Sequence, residues 1–246
     1  MFVLFIALGS FMAAGMACSG GSATNGTTSP ANTSASTPAP STPAPSAPKS
    51  IAGDYDASGT NVDGGGAYKA NLTVTPRDDV YQFSWNSAGK AYDGVGVMTD
   101  NAVAVSYTDG ANGKGCGVVL YKIGPNGSLE GKSGYWGVNS AESEKATRTS
   151  GTDLEGKYDI TGTNTDGKDY KGSLEVKKSG DGYTFLWNAG ESFEGFGIKT
   201  GDKVAVGFGG RQCAFVSYDA KPDGTLDGKW GGQGSKSFGT EVAKKK

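Results

Sequence analysis

Apolar and polar residues alternate along this chain in short runs, and the same series of runs occurs twice. The first series covers 54–58, 68–75, 80–86, 92–98, 102–107, 115–122, 128–133 and 143–147. The second covers 157–161, 170–177, 183–188, 193–199, 203–208, 212–218, 225–230 and 237–243. Each run is five to eight residues long and rich in β-branched and aromatic side chains, which predicts β-strands. Between them lie Asp63-Gly64, Asn126-Gly127, Asp166-Gly167, Asp181-Gly182 and Asp223-Gly224, dipeptides suited to tight turns with positive φ. The 42 glycines leave no room for a long helix.

The duplication is visible residue by residue. Gly53-Asp-Tyr-Asp-Ala-Ser-Gly-Thr-Asn-Val-Asp-Gly64 returns as Gly156-Lys-Tyr-Asp-Ile-Thr-Gly-Thr-Asn-Thr-Asp-Gly167, identical at 8 of 12 positions. Eight short strands in series make a meander, and a meander with one apolar face closes to remove its edges. The expected fold is all-β: two tandem, small, eight-stranded up-and-down antiparallel β-barrels, repeat 1 over 51–150 and repeat 2 over 151–246. Strands of five to eight residues fall short of the roughly 9–11 that a membrane-spanning barrel needs. Parity comparison of the copies places Tyr81, Phe83 and Trp85, with Tyr183, Phe185 and Trp187, on the buried face. By the same comparison Val95 and Val97, with Phe196 and Ile198, point inward, as do Val119 and Tyr121 with Val216 and Tyr218.

Composition adds limits. The net charge of −2 offers no basic footprint for nucleic acid. The chain has no histidine, which removes His-based nucleophile systems and His-ligated metal sites. No cofactor and no metal are expected. Residues 1–17 are almost wholly apolar and read as a signal peptide, ending in small residues before Cys18. That junction resembles a bacterial lipoprotein processing site, which makes Cys18 the lipidated residue. It departs from the pattern in carrying Gly15 where Leu is usual and in having no Lys or Arg before the apolar run, and an ordinary signal peptide is the alternative. Residues 18–50 hold six of the nine prolines and otherwise small polar residues, a disordered tether after the lipidation Cys. The expected location is the outer membrane or cell surface, alternatively the periplasm or medium.

Candidate chemistry is sparse. Asp93, matched by Glu194, shares the parity of the apolar residues of its strand and is placed inside the barrel or at its mouth, as a ligand-orienting or a turn-capping carboxylate. Trp85 and Trp187, with Tyr81 and Tyr183, are candidates to line a cavity, or else to fill the core. Trp136 and Trp230 differ between the copies, read as exposed aromatics and are further candidates for ligand contact. Cys116 and Cys213 occupy equivalent positions, either bridged between the barrels in an oxidising compartment or buried as separate thiols.

The motifs Gly-x-Tyr-Asp-x-x-Gly-Thr-Asn-x-Asp-Gly, Tyr-x-Phe-x-Trp, Gly-x-Gly, Cys-x-x-x-x-Tyr and Pro-[Asn/Asp]-Gly-x-Leu-x-Gly-Lys resemble those of small secreted bacterial β-repeat proteins often labelled fibronectin-binding proteins. The resemblance covers both repeats and implies an extracellular-matrix partner. The meander also looks like the avidin and lipocalin barrels, with shorter units that leave little room for a cavity, and it matches no binding motif of either. The expected function is a non-enzymatic, membrane-tethered surface or periplasmic binding or adhesion module, partnered by the membrane through its lipid. The alternative is a small-ligand carrier. An enzyme using paired carboxylates has least support, since one acidic candidate per barrel makes no general-acid and base pair.

Overall fold

The computed structural model describes Pro48 and residues 50–246; the expected signal peptide, Cys18 and nearly all of the expected tether lie outside the described residues. Sixteen strands follow one another. The first repeat supplies β1 (Gly53–Thr60), β2 (Ala67–Arg77), β3 (Val80–Ser87), β4 (Lys90–Thr99), β5 (Ala102–Asp109), β6 (Gly117–Ile123), β7 (Leu129–Tyr135) and β8 (Glu142–Thr152). The second supplies β9 (Glu155–Thr163), β10 (Asp169–Ser179), β11 (Gly182–Ala189), β12 (Glu191–Thr200), β13 (Lys203–Phe208), β14 (Ala214–Ala220), β15 (Leu226–Gly231) and β16 (Gly239–Lys245). The strands close into two eight-stranded antiparallel barrels, as expected from the alternation.

The barrels do not follow the repeat boundary. One consists of β1–β5 closed by β14–β16, and the other of β9–β13 closed by β6–β8. The expected division into barrels at 51–150 and 151–246 is therefore corrected: the repeats exchange their last three strands. At the exchange β5 pairs with β14, setting Val105 opposite Val216 and Val103 opposite Tyr218. The copy of that ladder pairs β13 with β6, setting Val206 opposite Val119. The reason lies in the duplication itself. β14 is the second copy of β6, so whatever edge β5 offers to one it offers to the other. Residues 110–116 and 209–213 carry the chain across, and Cys116 and Cys213 in these segments are joined as a disulfide with Cα atoms 5.6 Å apart.

Three hydrophobic clusters result. One fills the first barrel around Tyr55, Leu72, Phe83, Val105 and Tyr218, and a second fills the other barrel around Tyr121, Tyr158, Leu174, Phe185 and Trp187. The third lies between the barrels and contains Val95, Val97, Leu120, Phe196, Ile198 and Phe215. This corrects the parity read for β4 and β12: their apolar residues face the neighbouring barrel, while the glycines face the lumen. A Cβ on Gly96 would stand 2.6 Å from the Phe83 ring, so the bare backbone makes room for the aromatic core.

At the base of each barrel a buried Tyr hydroxyl donates to the carbonyl four residues upstream, Tyr55 to Ile51 at 2.6 Å and Tyr158 to Leu154 at 2.8 Å. Turn chemistry largely follows the sequence, with Gly127, Gly167 and Gly224 at positive φ. At 180–182, however, Gly180 takes the positive φ and Gly182 opens β11. The strands also extend further than the runs predict, β2, β8 and β10 reaching 11 residues. Length therefore does not argue against a pore. The outer surface does, because Tyr135 and Leu186 are the only large exposed hydrophobic residues among the described residues, and a membrane barrel needs an apolar band.

Candidate functional site

Each barrel holds a buried glutamate that the sequence reading missed. In β16 the residues Gly239, Glu241 and Ala243 alternate inward, and in β8 Glu144 and Ala146 do the same. Glu241 is 4% exposed and Glu144 8%. The Tyr218 hydroxyl donates to Oε1 of Glu241, the Trp85 indole donates to the same oxygen at 3.0 Å, and the Tyr68 hydroxyl donates to Oε2 at 2.8 Å. The second barrel repeats the set with the Tyr121 hydroxyl, the Trp187 indole at 3.3 Å and the Tyr170 hydroxyl at 3.0 Å on Glu144. A signal was present in the sequence: Glu-x-Ala recurs at the same place in both final strands, with the acid on the parity of the small apolar residue.

The electrostatics follow from burial. Burial pushes the Glu144 carboxyl above its ordinary value, against the pull of its three donors. Burial, and then the adjacent carboxylate, raises the hydroxyls of Tyr121 and Tyr218 well above the usual tyrosine range, so both remain protonated donors. Tyr68 and Tyr170 shift the same way for the same reasons. These four hydroxyls keep their protons and donate to the two glutamates across the ordinary pH range.

The copies differ in the space beside the glutamate. In the second barrel Phe193 stacks on Trp187, with centroids 5.0 Å apart and planes at 10°. Phe208 packs against Phe193 at 5.6 Å, and Tyr135 closes on Phe208 edge to face at 5.3 Å. The remaining cavity is about 30 Å³, room for little more than a water. In the first barrel Tyr92 and Tyr107 stand where Phe193 and Phe208 do, and Gly232 takes the position of the Tyr135 lid. Tyr107 tilts against Trp85 at 5.2 Å, while Tyr92 meets Tyr107 edge on at 6.1 Å. Trp230, in place of Ser133, stands edge to face on Tyr68 at 6.1 Å. The result is an open pocket of about 450 Å³ with Trp85 and Glu241 in its lining, within the size range of small-molecule sites. The expectation of little room for a cavity thus holds for one barrel and is corrected for the other.

The remaining sequence candidates fall elsewhere. Asp93 is 2% exposed, but on the outer face of β4, which corrects its placement inside the barrel or at its mouth. It accepts from Gln82 Nε2 at 3.1 Å, Ser84 Oγ at 3.3 Å, the Gly94 N–H at 2.9 Å and the Trp136 indole at 3.2 Å. Trp136 is half-buried over it, and Trp230 is half-buried in the pocket wall, so neither is the exposed aromatic expected. Glu194 is exposed and accepts from Gln233 Nε2 at 2.8 Å. Gln233 occupies the place of Trp136, beside a cavity of about 350 Å³ lined by four glycines together with Phe193, Phe196 and Arg211. Tyr81 lines a smaller cavity beside Trp136, and the ammonium of Lys178 lies 4.2 Å over the Tyr183 ring. The structure therefore brings Trp85 and Trp230 together at one site and leaves Tyr81, Tyr183, Asp93, Glu194 and Trp136 outside it. No family model, curated protein or solved structure matches this chain.

Proposed function

We propose that this protein is an exported, membrane-tethered and non-enzymatic binding protein that holds a small ligand in the pocket of its first barrel. The observation that carries the reading is the contrast between the copies. The same Glu-Tyr-Tyr-Trp set is packed over with phenylalanines in one barrel and left beside a cavity of about 450 Å³ in the other. A pocket with aromatic walls and a few convergent polar groups is the usual form of a small-molecule site. Glu241 is held by three donors, and Asp109 at the pocket wall pairs with Lys90 at 2.9 Å. Both carboxylates are thus already engaged, an arrangement that suits orientation of a ligand better than proton transfer. A disulfide between the crossover segments fits an oxidising compartment, in keeping with export. Adhesion to a matrix protein stays the second reading, carried by the motif resemblance.

The test is a fragment library titrated against the protein, read by NMR of the indole N–H groups. Saturable one-site binding that shifts Trp85 and Trp230 and leaves Trp187 unmoved is the expected result. Gly232→Tyr, which restores the lid of the second barrel, is expected to abolish it. A Cβ at Gly232 meets nothing nearer than 3.8 Å, so the backbone tolerates the change. If no fragment moves Trp85 or Trp230, the reading fails.

A further inference from the structure

We infer that the first-barrel pocket selects a small organic cation, an amine or a quaternary ammonium, with Glu241 as its counter-charge and the surrounding rings as its cage. This rests on the ligand-binding reading above and adds the chemical class. Charge in the lining points one way: its only ionic side chains are Glu241 and Asp109. Among the described residues no Lys or Arg forms an ion pair with Glu241. Its three donors are neutral, so they satisfy lone pairs without cancelling the charge. A buried carboxylate is costly unless a cation joins it, and with three donors bound it retains acceptor capacity for a further one.

The walls agree. Tyr68, Trp85, Tyr92, Tyr107 and Trp230 all line the cavity, and the faces of such rings attract cations. The rim already accommodates an ammonium of the chain's own: Lys90 Nζ lies 5.0 Å over the Tyr92 ring and 2.9 Å from Asp109. The second barrel carries Gly210 where Asp109 stands and brings a different second acid, Glu142, beside Glu144, but it has no space. Both lumens therefore carry two acids, and only the first has room for a cation beside them. An anionic ligand would meet the buried Glu241, which has no cationic partner among the described residues, whereas Asp109 at the rim is paired with Lys90.

The experiment is calorimetric titration of the full protein with choline, benzyltrimethylammonium and spermidine, beside neutral 3,3-dimethylbutan-1-ol and glucose. At least one cation is expected to bind with one site per chain, and the neutral isostere to bind roughly tenfold more weakly than choline or worse. Glu241→Gln should weaken the cation by about tenfold while leaving the isostere nearly unchanged. Asp109→Asn, at a residue whose side chain is 68% exposed and so without risk to the fold, should weaken it a few-fold and flatten its salt dependence. Glu144→Gln should leave binding as it was, because that barrel is filled. If glucose or the isostere binds as tightly as the cations, or library fragments bind and no cation does, the cation assignment is overturned and ligand binding stands. If neither cations nor library fragments bind, both fall.

Discussion

The disulfide offers the most direct measure of how the exchanged barrels are held. Cys116 and Cys213 are 97 residues apart in sequence, and they join the two segments where the chain passes from one barrel to the other. Closing a loop of that length removes denatured-state entropy worth about 4.7 kcal/mol at 25 °C in the chain-entropy account. Both residues are buried, at 1% and 5% exposure, so the Cys116→Ala/Cys213→Ala variant removes the link without stranding a polar group in the interior. Guanidinium unfolding followed by tryptophan fluorescence is the assay. With a denaturant slope of about 5 kcal/mol per molar for a folded region of this size, the midpoint should fall by roughly 1 M. Wild-type protein reduced under native conditions should match the variant. A midpoint within about 0.2 M of the oxidised protein, at unchanged slope, would refute the view that this link constrains the denatured chain.

Three further outcomes are expected. The Glu144 carboxyl is raised by burial, so the folded state holds that proton more tightly than the unfolded chain, and stability falls as pH climbs from the ordinary carboxylate range through the raised value. Measured as denaturation midpoints from about pH 4 to 7, wild type should lose ground to Glu144→Gln over that rise, and parallel curves would contradict the assignment. Phe215 is packed against Phe196 and Phe238 between the barrels. Its replacement by Ala should cost about 3–5 kcal/mol, and a melting temperature equal to wild type would show that the interface carries no stability. A 51–150 fragment contains β1–β5 of one barrel and β6–β8 of the other. It should exchange strands with a second copy and form a dimer linked Cys116 to Cys116, whereas light scattering and non-reducing gels that report only monomer would remove this account of the crossover.

How far the sequence could be read depends on what each kind of pattern encodes. Alternation placed the strands, and the lumen residues Phe83, Trp85, Phe185, Trp187, Tyr121 and Tyr218 were legible because they kept their parity and size in both copies. The same logic misplaced Val95, Val97, Phe196 and Ile198, because β4 and β12 are covered on both faces and alternation cannot say which apolar face is the lumen. Asp93 went wrong with them. Glu144 and Glu241 were passed over because an acid among short polar residues reads as solvated until the donors around it are seen. Their partners lie in strands distant in sequence: 156 residues separate Trp85 from Glu241.

Two closed barrels, their duplication and their aromatic lumens follow from the order of residues alone, since period-two patterning and turn dipeptides act over a few positions. The strand exchange and the opening of one barrel lumen but not the other were decided only in three dimensions. β6 and β14 are near-equivalent partners for β5, so local pattern cannot choose between them. Whether a barrel is filled turns on how Phe193, Phe208 and Tyr135 stack in one copy and how Tyr92, Tyr107 and Gly232 leave space in the other.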